Sequence, residues 1–228
     1  MQRNRTLVIA GLSIIASIAL LRTIVPRTTA WSDLRRFAYA GFGHRDRWQH
    51  PADVIAALGI PKGARVADLG AGGGYFTFRL AEAVGPTGTV YAIDVDETML
   101  RYIAERADAG GLRNIRTILA RPDDPRLPLC GVDLVFSANT FHHLRERATY
   151  FRRAGEALHV GGRVAIIDYT GHGYGPPAFL QRITGHFAGA DTIRAEMEAA
   201  GYVLRQAHGF LPRQSFLVFT PRGTERGA

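Results

Sequence analysis

A doubly wound, mostly parallel α/β sheet of seven strands is the fold class this sequence predicts, on three observations. Short, almost continuously apolar runs such as Val90 to Ile93 and Val132 to Ser137 alternate with helical stretches, the pattern of a parallel sheet covered on both faces. A glycine-rich bend, Asp68-Leu69-Gly70-Ala71-Gly72-Gly73-Gly74, leads from the first strand into a helix, where the backbone must turn tightly. The last two strands, Tyr202 to Ala207 and Ser215 to Thr220, are about seven residues apart. That leaves no room for a crossover helix, so they form an antiparallel hairpin at one edge of the sheet.

The 228 residues carry 28 Lys plus Arg against 20 Asp plus Glu, a formal charge of +8. Lys62 is the sole lysine, and the arginines are scattered from Arg3 to Arg226 rather than gathered on one element. No nucleic acid is therefore expected as a partner. Cys130 stands alone, which excludes an internal disulfide and a multi-cysteine metal site. The first thirty residues differ from the rest: Leu7 to Leu21 is an uncharged run of fifteen residues, and extended beyond Arg22 to Val25 it has nineteen. As a helix that is about 28 Å, just enough for a hydrocarbon core of roughly 30 Å. Residues 1–30 thus read as a membrane anchor or a signal segment, with Thr28-Thr29-Ala30 as a loose cleavage site. Arginines stand on both sides of the run, so the positive-inside rule leaves orientation open. Residues 31–50, with Phe37, Tyr39, Phe42 and Trp48 among basic residues, form an amphipathic cap or linker, with a lid or an interfacial anchor as the other readings.

From Pro51 to residue 222 the chain is one domain, and residues 223–228 are a tail. Pro51 starts a helix to about Leu58, and Pro61-Lys62-Gly63 makes a turn. Then follow the strand from Arg65, the glycine bend, a helix at about Tyr75 to Val84, and the strand Thr89 to Asp94. A helix Glu97 to Ala109, strand Ile115 to Leu119, a proline-rich loop and strand Val132 to Ser137 continue the rhythm. It closes with a helix Arg147 to Leu158, a turn at Gly161-Gly162, the strand Arg163 to Asp168, and a helix Asp191 to Ala200 before the hairpin.

The glycine bend is the strongest chemical signal, because it lets backbone approach a ligand with no Cβ in the way. A dinucleotide fingerprint would want a glycine where Tyr75 stands. Asp68, just before the bend, would repel a pyrophosphate but pair with an ammonium group. Asp94, at the end of the second strand, sits where a doubly wound fold binds ribose hydroxyls. A ligand-free glycine turn and a solvated strand-end Asp are the bland alternatives.

VADLGAGGGYF at 66–76, AIDVDETML at 92–100, Asp123-Asp124 before Leu127-Pro128, VDLVFSANTFHHL at 132–144 and LHVGGRVAIIDY at 158–169 resemble the successive motifs of class I S-adenosylmethionine-dependent methyltransferases. The resemblance covers about 48 to 220, keeps motif order, and implies the Rossmann-like methyltransferase fold with S-adenosyl-L-methionine as cofactor. It implies that Asp68 and the backbone of Gly70, Ala71, Gly72 and Gly74 hold the methionine part. Asp94 would take the ribose and Val95 lie beside the adenine. Asp123, or Asp124 if the loop shifts by one, would meet the adenine amino group, and Ala138 and Asn139 would pass beneath the sulfonium.

Methyl transfer needs alignment of the acceptor, and a base if the acceptor must lose a proton. His142 and His143 are the candidates for that base, with a purely structural role as the alternative. His172, His186, Tyr169 and Tyr174 in the following loop are weaker ones. The chain lacks the Asp/Asn-Pro-Pro-aromatic loop of amino-methylating DNA enzymes and the several cysteines of arsenite methyltransferases. What remains is a small-molecule methyltransferase similar to the ubiquinone/menaquinone group. Its acceptor would be lipophilic if residues 7–25 hold it at a membrane, with the domain cytoplasmic or, alternatively, exported. A noncatalytic S-adenosylmethionine-binding module and a nicotinamide-dependent oxidoreductase are the competing readings.

Overall fold

The computed structural model describes residues 45–128, 131–170 and 188–223. The expected membrane or signal segment, most of the cap, Cys130, the tail from 224, and the loop carrying His172, Tyr174 and His186 lie outside the described residues. Among the described residues no helix is long and apolar enough to cross a membrane.

Two short helices open the described chain, α1 (Arg45–Gln49) and α2 (Pro51–Leu58). His50, with φ 42°, separates them, and Pro51 starts α2 where its missing N–H costs nothing. Then come β1 (Arg65–Leu69), α3 (Thr77–Val84), β2 (Thr89–Asp94), α4 (Glu97–Ala109), β3 (Ile115–Leu119) and β4 (Val132–Ala138). A single 3-10 turn at Phe141–His143 precedes α5 (Arg147–Glu156), β5 (Leu158–Tyr169), α6 (Ala190–Ala199), β6 (Tyr202–His208) and β7 (Gln214–Pro221). The Asp96 carboxylate accepts the Thr98 N–H at 3.0 Å and so caps α4.

The seven strands lie in the order β3-β2-β1-β4-β5-β7-β6, with β7 antiparallel to both of its neighbours and β1 to β5 parallel. The expected hairpin is present, but β7 inserts between β5 and β6. The reason is burial: Gln214 to Phe219 are all buried, whereas Arg205, Gln206 and Ala207 of β6 are exposed, as suits an edge strand. The turn expected at Gly161-Gly162 lies instead inside β5. The β4–β5 register jumps from Val132↔Leu158 to Leu134↔Arg163, and Gly161 takes φ 89° to let the extra residues bulge out.

Alternate residues of each buried strand feed two different cores. Val66, Leu134, Phe136, Ala165, Ile167, Phe216 and Val218 pack with Val54, Leu58, Leu80 and Val84 of α2 and α3. Ala67, Leu69, Val135, Val164, Ile166 and Phe219 pack on the other face with Tyr150, Phe151, Ile193 and Met197 of α5 and α6. Helices on both faces confirm the doubly wound class. Strand order reverses between β1 and β4, so the crevice at their carboxyl ends is where such a sheet binds ligands.

Candidate active site

The glycine bend leaves β1 at that crevice. Gly70, Gly72 and Gly74 have φ of 72°, 51° and 81°, a region that side chains rarely enter. A Cβ on Gly70 would lie 2.0 Å from Thr140 Oγ1, so the bend packs directly on the segment that follows β4. Four of its N–H groups are spent inside the protein: Gly70 and Ala71 donate to the Ile93 carbonyl, Gly74 to the Ala71 carbonyl, and Gly72 to Asp94 Oδ2 at 2.8 Å. A pyrophosphate needs such N–H donors, whereas a cationic ligand needs oxygen. Ala71 turns its methyl into the core beside Ala92 and Ile103, so its part is to shape the bend.

Asp68 supplies the negative charge. It is buried, and Thr77 Oγ1 donates to its Oδ2 at 2.7 Å. Burial pushes its carboxyl up to about 7; the Thr77 hydrogen bond opposes this, nearby Asp94 adds to it, and Arg45 pulls it down. Arg45 is a residue that sequence reasoning passed over. It bonds Gln49 and stacks on the Tyr75 ring at 3.8 Å, with Arg79 on the same ring at 4.3 Å. Tyr75 donates its hydroxyl to Asp46 at 2.5 Å. The Arg45 and Tyr75 pairing is invisible in a sequence that separates them by thirty residues, and basic-aromatic composition was its one signal.

Asp94 closes the other end of the bend. Its Oδ2 accepts from Gly72 and its Oδ1 from the Asp96 N–H at 2.9 Å, which fixes the carboxylate while each oxygen retains a further lone pair. Val95 beside it is 60% exposed, an apolar side chain open to a flat ligand. The two acids of the following loop part company. Asp123 is exposed and its carbonyl and carboxylate face Arg153 of α5. Asp124 turns its Oδ1 to the Arg126 N–H. The buried Tyr150 hydroxyl is raised in pKa by burial first, then by the charges of Asp124 and Asp94 together. Asp124 is therefore the acid that shares surroundings with Asp94.

The segment after β4 lies at the same edge. Asn139 takes φ 58° and accepts Gln214 Nε2 on its Oδ1 at 2.5 Å, while Gln214 Oε1 is buried with no partner among the described residues. In the 3-10 turn, the His142 side chain is buried and His143 is exposed. His142 Nδ1 lies 2.7 Å from Oδ1 of Asp168, a buried residue at the end of β5. Tyr169, the next residue, has its ring centroid 6.2 Å from that of His142. The structure thus brings Asp68, the glycine bend, Asp94, Asn139 and His142 to one edge and sets Asp123 apart. Arg45, Thr77, Asp168 and Gln214 are the neighbours that sequence motifs did not single out.

The donor set fits S-adenosylmethionine: buried carboxylate and oxygen for an ammonium, a fixed carboxylate for ribose hydroxyls, and an exposed apolar side chain for a purine. Comparison with known proteins agrees. A family model described as a methyltransferase domain matches residues 60–201. Aklanonic acid methyltransferase of Streptomyces sp. (strain C5) is 26% identical over 171 residues, 64% of this chain and 78% of that protein. Demethylmenaquinone methyltransferase of Geobacillus kaustophilus is 38% identical over 122 residues, 54% of this chain and 51% of that one, so the chain spans about half of this quinone-type relative. Among solved structures, a SAM-dependent methyltransferase from Aquifex aeolicus superposes with a TM-score of 0.73 at 26% identity, covering 81% of this chain and 96% of that one. Fold, bend and family model converge: the chain belongs to the class I S-adenosylmethionine-dependent methyltransferases.

Proposed function

We propose that this methyltransferase acts on a small organic acceptor held at the carboxyl ends of β4, β5 and β7, with the cofactor across β1 and β2. The observation that carries the cofactor half is the bend in which the N–H groups of Gly70, Ala71, Gly72 and Gly74 are internally satisfied next to a buried acid, which favours a cation over a phosphate. Asp68 holds the ammonium and Arg45 the carboxylate of the methionine part, Asp94 the ribose hydroxyls, and Asp124 the adenine amino group beside Val95. Gly70, Gly72 and Gly74 let the backbone come close, and Asn139 lies beneath the reacting carbon. When bound, the cofactor supplies a methyl group on a sulfonium, an electrophile that needs no acid from the protein.

The residues of this chain then have three tasks: to align the acceptor, to exclude water, and to take up a proton where the acceptor loses one. His142, buried at that end, is placed for the third, and exposed His143 is not. The small acceptor is supported by relatives named for aklanonic acid and demethylmenaquinone. Residues 7–25 support, from sequence alone, a domain held at the cytoplasmic face of a membrane and a lipophilic acceptor.

Calorimetry with S-adenosylmethionine on wild type and Asp94→Ala tests the cofactor site, and incubation of the purified protein with the labelled cofactor and a lysate tests turnover. Wild type binds and labels, while Asp94→Ala loses both. Equal labelling by the two proteins rejects the cofactor assignment. Binding without any labelling would establish the noncatalytic module instead.

A further inference from the structure

We propose that α1 is a strap across the crevice that the cofactor closes: Arg45 takes the cofactor's carboxylate while Trp48 shuts the acceptor side against Tyr169, so the acceptor site is complete only after S-adenosylmethionine has bound. The inference rests on the methyltransferase reading above and adds the regulation of that site, an order of binding.

The two ends of α1 belong to different halves of the crevice. Arg45 lies 3.8 Å from the Tyr75 ring, where the glycine bend ends. Asp46 accepts the Tyr75 hydroxyl at 2.5 Å and faces Arg79 at 3.3 Å. Trp48 follows Arg45 by three residues, so the two share one side of the helix. Its ring centroid is 5.8 Å from that of Tyr169 at the end of β5, and the guanidinium of Arg213, just before β7, is 5.5 Å from the Trp48 ring. In the sheet only β4 separates β1 from β5, so their ends lie roughly 10 Å apart. A helix of five residues is about 7.5 Å long, and the side chains at its ends cover the rest. α1 therefore joins the cofactor half to the acceptor half.

Little fastens α1 in that position. So short a helix has no stability of its own, and the Asp46 side chain is 60% exposed, so its pair with Arg79 adds little. Gln49 is wholly buried, yet its Nε2 has no partner among the described residues, which disfavours the closed form. At His50 the backbone takes φ 42° and enters α2, whose Val54 and Leu58 are fully buried. A weakly held element is thus hinged to a firm one.

The cofactor's amino-acid end supplies what the closed form lacks. Gln49 Oε1 engages Arg45 Nε, and Thr77 engages Asp68 Oδ2; the terminal nitrogens of Arg45 and Oδ1 of Asp68 have no hydrogen-bond partner among the described residues. Burial lowers the Arg45 pKa, and Tyr75, Tyr169 and Asp68 oppose it, which puts the guanidinium and the Asp68 carboxylate within reach of one another's charge. An α-amino carboxylate fits between them, its ammonium on Asp68 and its carboxylate on Arg45. A ligand held at both places binds the closed strap better than the open one and shifts the population toward it. Trp48, on the same turn, is carried onto Tyr169 by the same motion.

The test follows Trp48 in the full chain in detergent, with Trp31→Phe to leave one indole. Acrylamide quenching is measured with saturating S-adenosylhomocysteine and with 5′-methylthioadenosine, which lacks the amino-acid end, saturation being set by calorimetry. S-adenosylhomocysteine should lower the quenching constant about twofold or more, and methylthioadenosine should leave it unchanged. Arg45→Gln should weaken S-adenosylhomocysteine roughly 10–100-fold, abolish the protection at saturation, and keep the methylthioadenosine affinity, which shows the fold intact. Equal protection by both ligands, protection that survives in Arg45→Gln, an equal loss of methylthioadenosine affinity, or S-adenosylhomocysteine bound without protection overturns the strap alone. Failure of S-adenosylmethionine and S-adenosylhomocysteine to bind wild type rejects the cofactor site and the strap with it.

Discussion

Burial holds the Asp68 carboxyl at about 7, against an ordinary 3.8, so the folded protein keeps a proton there that the unfolded chain has released. The stability this proton confers is fully present below 3.8 and is lost as pH rises through about 7. An ammonium ligand favours the ionised form, so binding S-adenosylmethionine below pH 7 should expel the proton. Calorimetry in buffers of different ionisation enthalpy should show proton release at about pH 6 that fades at higher pH, and Asp68→Asn should abolish both the release and the slope of stability. Gly70 is a second test. With φ 72° and Thr140 2.0 Å from a built Cβ, Gly70→Ala should cost roughly 1–3 kcal/mol in denaturant melts and weaken cofactor binding. These two residues were legible in the sequence because an acid before a glycine run has few other uses. Arg45, Thr77 and Asp168 were not, since each acquires its role from a partner on another element.

The elements themselves were largely readable. Fully apolar strands, helices with a buried stripe, and Pro and Gly at their boundaries are local consequences of sequence. Two features escaped. The bulge at Gly161 depends on the register with β4, and the place of β7 inside the sheet depends on which hairpin strand buries more. The opposite edge of the sheet offers an element-scale prediction. At the amino-terminal ends of β4 and β5, His159 Nε2 meets Asp133 Oδ1 at 2.5 Å, and Asp133 Oδ2 accepts the Arg65 N–H that starts β1. The hydrogen bond to the Val160 carbonyl first, and the one to Asp133 next, raise the His159 pKa. The pair therefore stabilises the fold below the ordinary histidine value and loses that contribution as pH rises through the raised one. The pair is partly exposed, so the melting temperature should fall by only roughly 1–2 °C between about pH 6 and 8. His159→Gln should remove that step without altering cofactor affinity, because the crevice is at the other end of the strands.

At the scale of the whole molecule the question is which compartment the domain occupies. The proposal of a membrane-held, cytosolic domain rests on the fifteen-residue uncharged run at 7–21, extended past Arg22 to Val25, and on a cofactor made in the cytosol. A reporter fused after Thr220 that is active only in the cytosol should light up. Activity of an export-dependent reporter would reverse the orientation and remove the enzyme from its cofactor. Deleting residues 1–30 should release the protein from the membrane fraction and leave S-adenosylmethionine binding unchanged.

The sequence by itself determined the class of sheet, the glycine bend proposed to receive the cofactor, and the order of motifs that places this chain among the methyltransferases. These follow from periodicity, from glycine's freedom at positive φ, and from spacing along one chain. Tertiary structure alone decided how Asp168 on β5 orients His142 after β4, why Asp124 rather than Asp123 shares surroundings with Asp94, and how Arg45 comes near Asp68. Each of these joins residues far apart in the chain. Their meeting is set by strand order and register, which no local pattern encodes.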